Sequence, residues 1–343
     1  MLIMNMDEKI INNLIDKNYL VGKLKKNSLG KFKKSANEVF YFETCQNKYV
    51  LKIYKTKTEH LDNNFDILYE LKSKYNLPFI VPIKTINKKY SIKFEDFKLV
   101  LFPFVKGKEY SSNNDSHLIL AANTLGKFHK VSRDIINNIN FQNQKDIFNL
   151  NYIKKIIIKI SNLKSDSIYL EIFQDYLSKI NLELSFIESN LEKTKSNFLE
   201  KSSSLIHADY WPEQLLYSEN EIVGILDSDD LVVCYPEWEL ISAVRKFSKV
   251  TDSNSFRGKF SYFDLNKINI FLSEYKKTFG QIALCQLDVS VLIRKSMLDA
   301  ICFFISKILD ENDIYWVEPL NDMFKQLIWF KENENEFVKN ILF

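Results

Sequence analysis

The chain has little glycine, proline or cysteine. Its 343 residues include 7 glycines, 6 prolines and 4 cysteines. Because glycine and proline form most tight turns, their scarcity favours long helices over sheets with many hairpins. The cysteines share no CxxC or Cys/His spacing, which argues against a disulfide framework and a zinc site and favours free thiols in a reducing compartment; they are Cys45, Cys234, Cys285 and Cys302. We therefore expect a cytoplasmic protein.

Long apolar runs and a dominant charge sign are also missing. No uncharged run approaches the roughly 20 residues that span a bilayer, and the first residues lack the basic segment and the sustained apolar stretch of a secretory signal. The net charge is +3, from 47 basic and 44 acidic residues that are mixed along the chain. This mixture provides no basic stripe for a phosphate backbone. We expect neither a membrane nor a nucleic acid as partner, and no signal indicates an oligomeric state.

The first hundred residues carry strand patterns. Apolar and polar residues alternate in two bursts, at 38–43 and 48–54, on either side of a polar turn, which predicts a hairpin. Residues 59–75 look helical, and residues 79–104 contain two or three more strands. This part of the chain is therefore expected to be rich in β structure.

The rest of the chain predicts helices. Asp115 or Ser116 can cap a helix that carries an apolar face along 118–129. Residues 134–200 have no strand character and end in a long amphipathic helix. After a pair of short strands, helical patterns return at 237–343.

The order of these elements predicts an α+β protein with two lobes. A chain of this length can bury two modest cores. We place a β-rich N-terminal lobe at residues 1–104, a hinge or linker at 105–110, and a mostly helical C-terminal lobe at 111–343.

Three groups between the short strands have the residue types of a kinase active site. His207-Ala208-Asp209 forms a His-x-Asp turn, Gln214 follows five residues after the Asp, and Asp227 ends the apolar run 222–226. In kinases one Asp orients and accepts the proton of the substrate hydroxyl, while a carboxamide and a second Asp hold Mg²⁺ against the nucleotide phosphates. The flanking strands would present all three groups on one edge.

These motifs resemble the aminoglycoside phosphotransferase and choline kinase superfamily, the small-molecule relatives of protein kinases. The catalytic loop of that family typically reads H-G-D-x-x-P-x-N, and the chain matches it at His207, Asp209 and Pro212. The resemblance implies a bilobal, protein-kinase-like fold. It also implies that Asp209 is the catalytic base, that Asp227 is a Mg²⁺ ligand, and that ATP and Mg²⁺ are the cofactors.

Acidic residues after this loop extend the resemblance. Asp230 matches a second acidic position that is often seen three residues after the metal ligand. Pro236 and Glu239 stand where the family usually has Pro and Asp. The runs 225–231 and 238–246 are similar to the bacterial spore-coat-type branch.

The N-terminal lobe contains segments that resemble a nucleotide site. Lys52 in Tyr49-Val-Leu-Lys-Ile fits the phosphate-binding lysine, and Asn37 lies in a segment like the nucleotide loop. The run 101–107 looks like the hinge that meets adenine. There the carbonyl oxygen of Pro103 can accept from the adenine amino group, and the N–H of Val105 can donate.

The chain departs from the family pattern at three places. Ala208 replaces the usual Gly, which is a small change if the backbone there does not need a positive φ. Gln214 replaces the usual Asn, with the same carbonyl donor one methylene further out. The helix acid that should pair with Lys52 is not evident, because Asn64 occupies the expected position; the other candidates are Glu59, Asp66 and Glu70.

Each of these residues also has a structural interpretation. An isolated His-x-Asp occurs often by chance, and Asp209 alone can be a turn or capping residue. Its combination with Gln214, Asp227 and Lys52 favours the kinase interpretation. We expect His129 to be a structural, hydrogen-bonding histidine, and the aromatic residues after 236 to form core rather than a cage for a cationic ligand.

The sequence therefore predicts an ATP- and Mg²⁺-dependent phosphotransferase that acts on a hydroxyl of a small molecule. Nucleotide is expected between the lobes, with its phosphates near Lys52 and its acceptor on the C-terminal side. The acceptor is left open among an antibiotic such as an aminoglycoside, an amino alcohol, a sugar and an amino acid. The alternative is a catalytically inactive kinase-like binding or scaffold protein, which a glycine-poor nucleotide loop and Gln214 would suit.

Overall fold

The computed structural model of the protein describes residues 8–32, 38–55, 61–136, 141, 143–163, 170–253 and 258–342. The helices within these ranges, α1 to α10, are Glu8–Asn18, Leu61–Tyr75, Asp115–Ile136, Asn151–Ser161, Leu170–Phe198, Pro236–Ser248, Leu265–Phe279, Gln286–Glu311, Val317–Glu332 and Glu334–Leu342. The strands, β1 to β11, are Gly30–Lys31, Glu38–Glu43, Lys48–Lys55, Ser91–Phe94, Phe97–Pro103, Ser204–Ile206, Leu215–Tyr217, Ile222–Ile225, Val232–Cys234, Lys249–Thr251 and Phe260–Phe263. Single turns of 3₁₀ helix lie at Pro212–Gln214, Ser228–Asp230 and Ile314–Trp316.

The described residues form two compact units. The first runs up to Glu109 and includes the later segment Gln214–Leu231. The second comprises Tyr110–Glu213 and the residues from Val232 onward. The lobe limits and the hinge proposed from the sequence stay predictions, but the expected α+β arrangement, with a sheet in the N-terminal part and helices in the C-terminal part, is confirmed.

A five-stranded antiparallel sheet is the centre of the first unit. Its strand order is β1-β2-β3-β5-β4, so β3 lies in the middle of the sheet. The hairpin expected at 38–54 is confirmed, since β2 pairs with β3 from Glu38 opposite Ile53 to Glu43 opposite Lys48. Side chains alternate along a strand, and Leu51 and Ile53 therefore enter the apolar core while Lys52 points to the other face.

The segment Gln214–Leu231 belongs to this unit through backbone hydrogen bonds. Its two strands, β7 and β8, form a short hairpin. Tyr217 exchanges two backbone hydrogen bonds with Lys108, at 2.7 and 2.8 Å, and the N–H of Ile225 donates to the carbonyl of Pro78 at 2.8 Å. These bonds fix the end of β8, and therefore the start of the turn that carries Asp227.

The second unit is built mainly from helices. Helix α3 packs closely on α7, because Gly126 lets the backbones approach: a Cβ at Gly126 would lie 3.0 Å from the carbonyl oxygen of Tyr275. The long amphipathic helix expected before residue 200 is α5, and Phe173, Ile180 and Ile187 on its apolar face are buried. Strands β6 and β9 pair antiparallel, from Ser204 opposite Cys234 to Ile206 opposite Val232.

One element of the second unit departs from the expected helices at 237–343. Residues 249–251 and 260–263 form a short antiparallel hairpin, β10 and β11. Phe260 and Phe263 bring their rings against Trp329, and Phe263 also contacts Phe337. Strands of three or four residues are too short for their alternation to stand out in sequence, and this aromatic packing decides the conformation.

No helix within the described ranges combines the length and the apolar character needed to cross a membrane.

Candidate active site

Lys52 is the centre of a charged cluster in the first unit. Its ammonium group donates to both carboxylate oxygens of Asp229, at 2.9 and 2.8 Å, and also to Asp227. The Lys52 side chain is only 11% exposed. Burial by itself would lower the pKa of Lys52, but the carboxylates of Asp229 and Asp227 outweigh that effect and raise it. Lys52 is therefore a charged, oriented cation at neutral pH.

Asp227 stands at a bend that exposes its carboxylate. It follows β8 and precedes the 3₁₀ turn Ser228–Asp230, with φ +54°, a left-handed conformation that Asp tolerates better than most residues. Its side chain is 49% exposed, although it contacts the buried Lys52. One oxygen of Asp227 is thus held by a cation while the carboxylate stays open to solvent.

Gln214 lies beside Asp227, as the sequence predicts. Its backbone carbonyl accepts from the N–H of Leu226 at 2.8 Å, which joins the start of β7 to the end of β8. The Gln214 side chain reaches Asp227, with 3.4 Å between Nε2 and Oδ2. Rotation of the amide by 180° brings its carbonyl oxygen to the same position. The extra methylene of Gln214 therefore does not move the amide away from the carboxylate.

The oxygen atoms of Asp227 and Gln214 suit a hard divalent cation. Mg²⁺ is usually bound through one or two carboxylates and completes its shell with phosphate oxygens and water rather than with an all-protein cage. Within the described part of the chain, no group of three or more His, Cys, Asp or Glu side chains is arranged to hold a metal by itself. The donor set fits a metal that arrives together with a nucleotide.

The remaining predicted nucleotide contacts are described in part. Pro103 ends β5, opposite Tyr49 of β3, and Val105 follows two residues later. The predicted contacts of Pro103 and Val105 with adenine stay predictions. Asn37, the predicted nucleotide-loop residue, lies outside the described residues. Its role stays a prediction.

Helix α2 does not supply the acid that was expected to pair with Lys52. Asn64 is buried, and its amide donates to the backbone carbonyl of Asp229 at 2.6 Å. Asp66 accepts from the hydroxyl of Tyr90 at 3.0 Å, and Glu70 pairs with Lys74. The candidates Asp66 and Glu70 were therefore wrong, and Glu59 lies outside the described residues.

In the second unit the carboxylate of Asp209 is held between two donors. The ammonium of Lys246, on α6, donates to Oδ1 at 2.9 Å. The indole N–H of Trp211 donates to Oδ2 at 3.0 Å. Desolvation opposes ionisation of Asp209, but Lys246 first, and then His207 and Trp211, outweigh it and lower its pKa. Asp209 is therefore an ionised carboxylate with a fixed orientation, and half of its side chain is exposed.

The backbone before Asp209 is strained. Ala208 has φ +69°, the left-handed region in which a Cβ costs roughly 1–2 kcal/mol. Because φ is positive here, the replacement of the usual Gly by Ala208 is not a small change. The turn keeps this conformation because the residues around it are fixed by other bonds.

A buried network fixes the loop that carries Asp209. The carboxylate of Glu239 accepts from the backbone N–H of His207 and from the ring of His129, both at 2.9 Å. The other ring nitrogen of His129 lies 2.8 Å from the hydroxyl of Tyr275. Burial would raise the pKa of Glu239, but His129 and His207 outweigh it and lower it. His129 is thus the structural histidine that the sequence suggested.

Two residues of these clusters were missed in the sequence. Asp229 did not stand out, because Asp230 is the residue that matches the second acidic position of the family; the Asp230 side chain is exposed. The only signal was the run of acids after Asp227, and the 3₁₀ turn decides which of them points to Lys52. Lys246 lies 37 residues after Asp209, and no spacing rule connects a helix lysine to a loop carboxylate at that separation.

Solved structures with the same fold include several small-molecule kinases. A spectinomycin phosphotransferase, in complex with ADP and spectinomycin, is 15% identical, with a TM-score of 0.65 over 98% of this chain and 98% of that chain. A choline kinase from Cryptosporidium parvum Iowa II is 15% identical, with a TM-score of 0.64 over 97% of this chain and 98% of that chain. An amicoumacin kinase in complex with AMP-PNP and Ca²⁺ is 12% identical, with a TM-score of 0.62 over 93% and 92%. At these identities the likeness shows the fold.

The sequence itself assigns the family. Residues 32–262 match the model of the phosphotransferase enzyme family. Because this match covers more than half of the chain, the protein belongs to the phosphotransferase enzyme family, which makes it a small-molecule kinase by class. No curated protein is similar enough in sequence to match the chain.

Proposed function

We propose that the protein transfers the γ-phosphoryl group of ATP to a hydroxyl of a small molecule, with Mg²⁺ as the metal. One observation carries this proposal: a buried lysine from the central strand, Lys52, is paired with a half-exposed carboxylate, Asp227, that also touches the carboxamide of Gln214. A lysine, an Asp and a carboxamide are the groups with which kinases hold nucleotide phosphates and their metal.

The proposed roles follow from the charges of these groups. Lys52 would contact the phosphate oxygens of ATP, and Asp227 and Gln214 would hold the metal, with adenine at Pro103 and Val105. When bound, Mg²⁺ supplies charge neutralisation at the phosphates. Asp209 would accept a hydrogen bond from the acceptor hydroxyl and take its proton as the new oxygen–phosphorus bond forms. The bond from the γ-phosphorus to the bridging oxygen breaks, and ADP leaves.

The lowered pKa of Asp209 suits a positioning role. A carboxylate whose pKa is low is a weak base in the ground state, so its main contribution is to orient the hydroxyl and to receive the proton late. Catalysis then comes chiefly from positioning and from electrostatic stabilisation of the transferring group. This division of labour is the one expected for phosphoryl transfer.

The acceptor is proposed to be a small molecule rather than a protein. Eight residues separate Asp227 from Pro236, where α6 begins, and they are occupied by a 3₁₀ turn and by β9. Protein kinases use a long activation segment in this interval as a platform for an extended peptide. The names of proteins with this fold include kinases of spectinomycin, amicoumacin and choline. This chain is proposed to act on an antibiotic such as an aminoglycoside, an amino alcohol, a sugar or an amino acid.

We also propose that the protein acts in the cytoplasm. Cys234 and Cys302 are buried free thiols, and burial raises the pKa of each to about 12. Neutral buried thiols are typical of a reducing compartment.

The proposal is tested first by nucleotide binding. AMP-PNP with Mg²⁺ should raise the Tm of the protein by more than AMP-PNP with EDTA, because a ligand that binds the native state stabilises it by an amount that grows with its affinity. Asp227→Asn should remove most of the difference between the two conditions. A protein whose Tm responds to neither condition would contradict the assignment. A protein that binds AMP-PNP but consumes no ATP with any acceptor of the four classes would support the inactive alternative.

A further inference from the structure

The buried carboxylate partner of Lys52 is Asp229. Both oxygens of Asp229 lie within 2.9 Å of the Lys52 ammonium. The Asp229 side chain is 8% exposed, whereas that of Asp227 is 49% exposed. A buried ammonium requires a buried anion, since an unpaired one costs several kcal/mol. Asp229 is the buried anion that pairs with the Lys52 ammonium, whatever contacts the more exposed Asp227.

The helix that follows β3 carries an amide where an acid is expected. In protein kinases a glutamate of this helix pairs with the strand lysine, and the pair must be in place for activity. Here Asn64 holds the backbone carbonyl of Asp229 at 2.6 Å instead. Within the described part of the chain, Asp227 and Asp229 are the carboxylates that contact Lys52. Helix α2 thus reaches the lysine through residue 229.

The two acids are suited to different tasks. Asp227 is half exposed and adjoins Gln214, so it can turn an oxygen to a cation. Asp229 has both oxygens directed at Lys52 and is nearly covered. If a metal binds Asp227, Asp229 still orients Lys52. The pairing therefore does not depend on which ligand Asp227 holds.

We propose that Asp229 is the positioning residue of Lys52, in place of a helix glutamate, and that Asn64 positions Asp229 by binding its backbone. This inference rests on the proposed function, since it assigns Lys52 to the nucleotide phosphates. Its consequence is specific. Removal of the Lys52 ammonium should weaken nucleotide binding much more when the Asp229 carboxylate is present than when it is absent.

The test is a double-mutant cycle on ADP binding, measured by calorimetry in EDTA and again in Mg²⁺. The four proteins are the parent, Lys52→Met, Asp229→Asn and the double variant. Lys52→Met should raise the Kd of ADP about tenfold in the parent, the effect of losing about 1.4 kcal/mol. In the Asp229→Asn background the same change should raise it less than about threefold, with and without metal, because the two residues act as one unit. Asp229→Ser replaces Asp229→Asn in the cycle if the latter does not fold.

Matched controls come from α2. In Asp66→Asn and Glu70→Gln backgrounds, Lys52→Met should keep its full effect, because those acids pair elsewhere. An equal effect of Lys52→Met with and without Asp229 would overturn the inference, as would a coupling that appears only in Mg²⁺, which would make Asp229 a metal ligand. A coupling to Asp66 or Glu70 would overturn it too. If the parent binds no ADP, the proposed function fails along with the inference; if the parent binds and no coupling appears, only the inference fails.

Discussion

The charged groups of the first unit are held by one another, whereas the loop that carries Asp209 in the second unit is held by a buried hydrogen-bond network. Lys52, Asp227 and Asp229 fix their positions through mutual ion pairs, and one of the carboxylates remains open to solvent. Glu239 and His129 instead bind the loop through its backbone at His207. A cluster held by charge can rearrange when a charged ligand arrives, while a loop held through its backbone presents Asp209 in one geometry.

The largest effect on activity is expected from a change of Asp209 in the second unit. Asp209→Asn keeps the size of the side chain and removes its charge, so kcat should fall about 10²–10⁴-fold, the scale for the loss of a positioned base. The Kd of ADP should stay close to that of the parent, because the proposed nucleotide groups lie in the first unit. Rates and affinities are measured by ATP consumption and calorimetry.

Asp175→Asn is the control for this variant. Asp175 is exposed and pairs with Lys179 one helical turn away, an interaction worth little. It should retain parental turnover. Turnover near the parental rate in Asp209→Asn would remove Asp209 from the catalytic role.

The next largest effect is expected on metal-dependent nucleotide binding, from a change of Gln214. Gln214→Ala should weaken Mg²⁺-dependent AMP-PNP binding about tenfold or more, since a Mg²⁺ site loses one of its few protein ligands. Binding in EDTA should change little. Gln214→Asn retains the carbonyl donor on a shorter arm and should keep measurable activity. If Gln214→Ala binds Mg·AMP-PNP as tightly as the parent, the side chain is not a ligand.

The effect of Lys246 on Asp209 can be tested through the pH dependence of activity. The Lys246 ammonium is the leading group that lowers the pKa of Asp209 against the effect of burial. In Lys246→Met the pKa of Asp209 should therefore rise, and the acid limb of the kcat/KM profile should move to higher pH. Activity that is present above the folded-state pKa is lost earlier as the pH falls.

The matched variant for the pH profile is Lys249→Met. Lys249 lies just after α6 and pairs with Asp322 rather than with Asp209. Its acid limb should coincide with that of the parent. A Lys246→Met profile that moves to lower pH, or does not move, would contradict the electrostatic account of Asp209.

The smallest effect is on the strained turn. Ala208→Gly removes a Cβ from a left-handed residue, which relieves strain but also increases the freedom of the unfolded chain. The net gain in the free energy of unfolding should be less than about 1 kcal/mol, or about 1–2 °C in Tm. Calorimetric melting measures it. A lower Tm for Ala208→Gly would mean that the methyl group packs usefully and that the strain argument is wrong.

The sequence predicted the elements better than the contacts. The hairpin of β2 and β3, the helix α5 and the alternation that separates Lys52 from the core follow from local periodicity. The pairing of Lys52 with Asp229 does not, because adjacent acids in a turn differ only in the direction that the turn gives them. Lys246 meets Asp209 through tertiary packing of α6, which no local pattern encodes.

The conformation of Ala208 shows a different limit. A glycine at this position would have signalled a positive φ, whereas Ala208 left open whether the backbone needs one. The buried network around His207 and Glu239 imposes the left-handed turn instead. Residue type is therefore a poor guide where the surroundings determine the backbone.

If the protein phosphorylates a small hydroxyl compound, the mass of that compound must change. The parent protein, ATP and Mg²⁺ are incubated with a panel of aminoglycosides and other antibiotics, amino alcohols, sugars and amino acids, and each acceptor is examined by mass spectrometry. We expect one class of acceptor to gain the mass of a single phosphoryl group, in an amount equal to the ADP formed, and we expect Asp209→Asn to form little of this product. ATP consumption with no acceptor modified would show that the protein is not a kinase of these compounds, and an equal yield from Asp209→Asn would show that Asp209 is not catalytic.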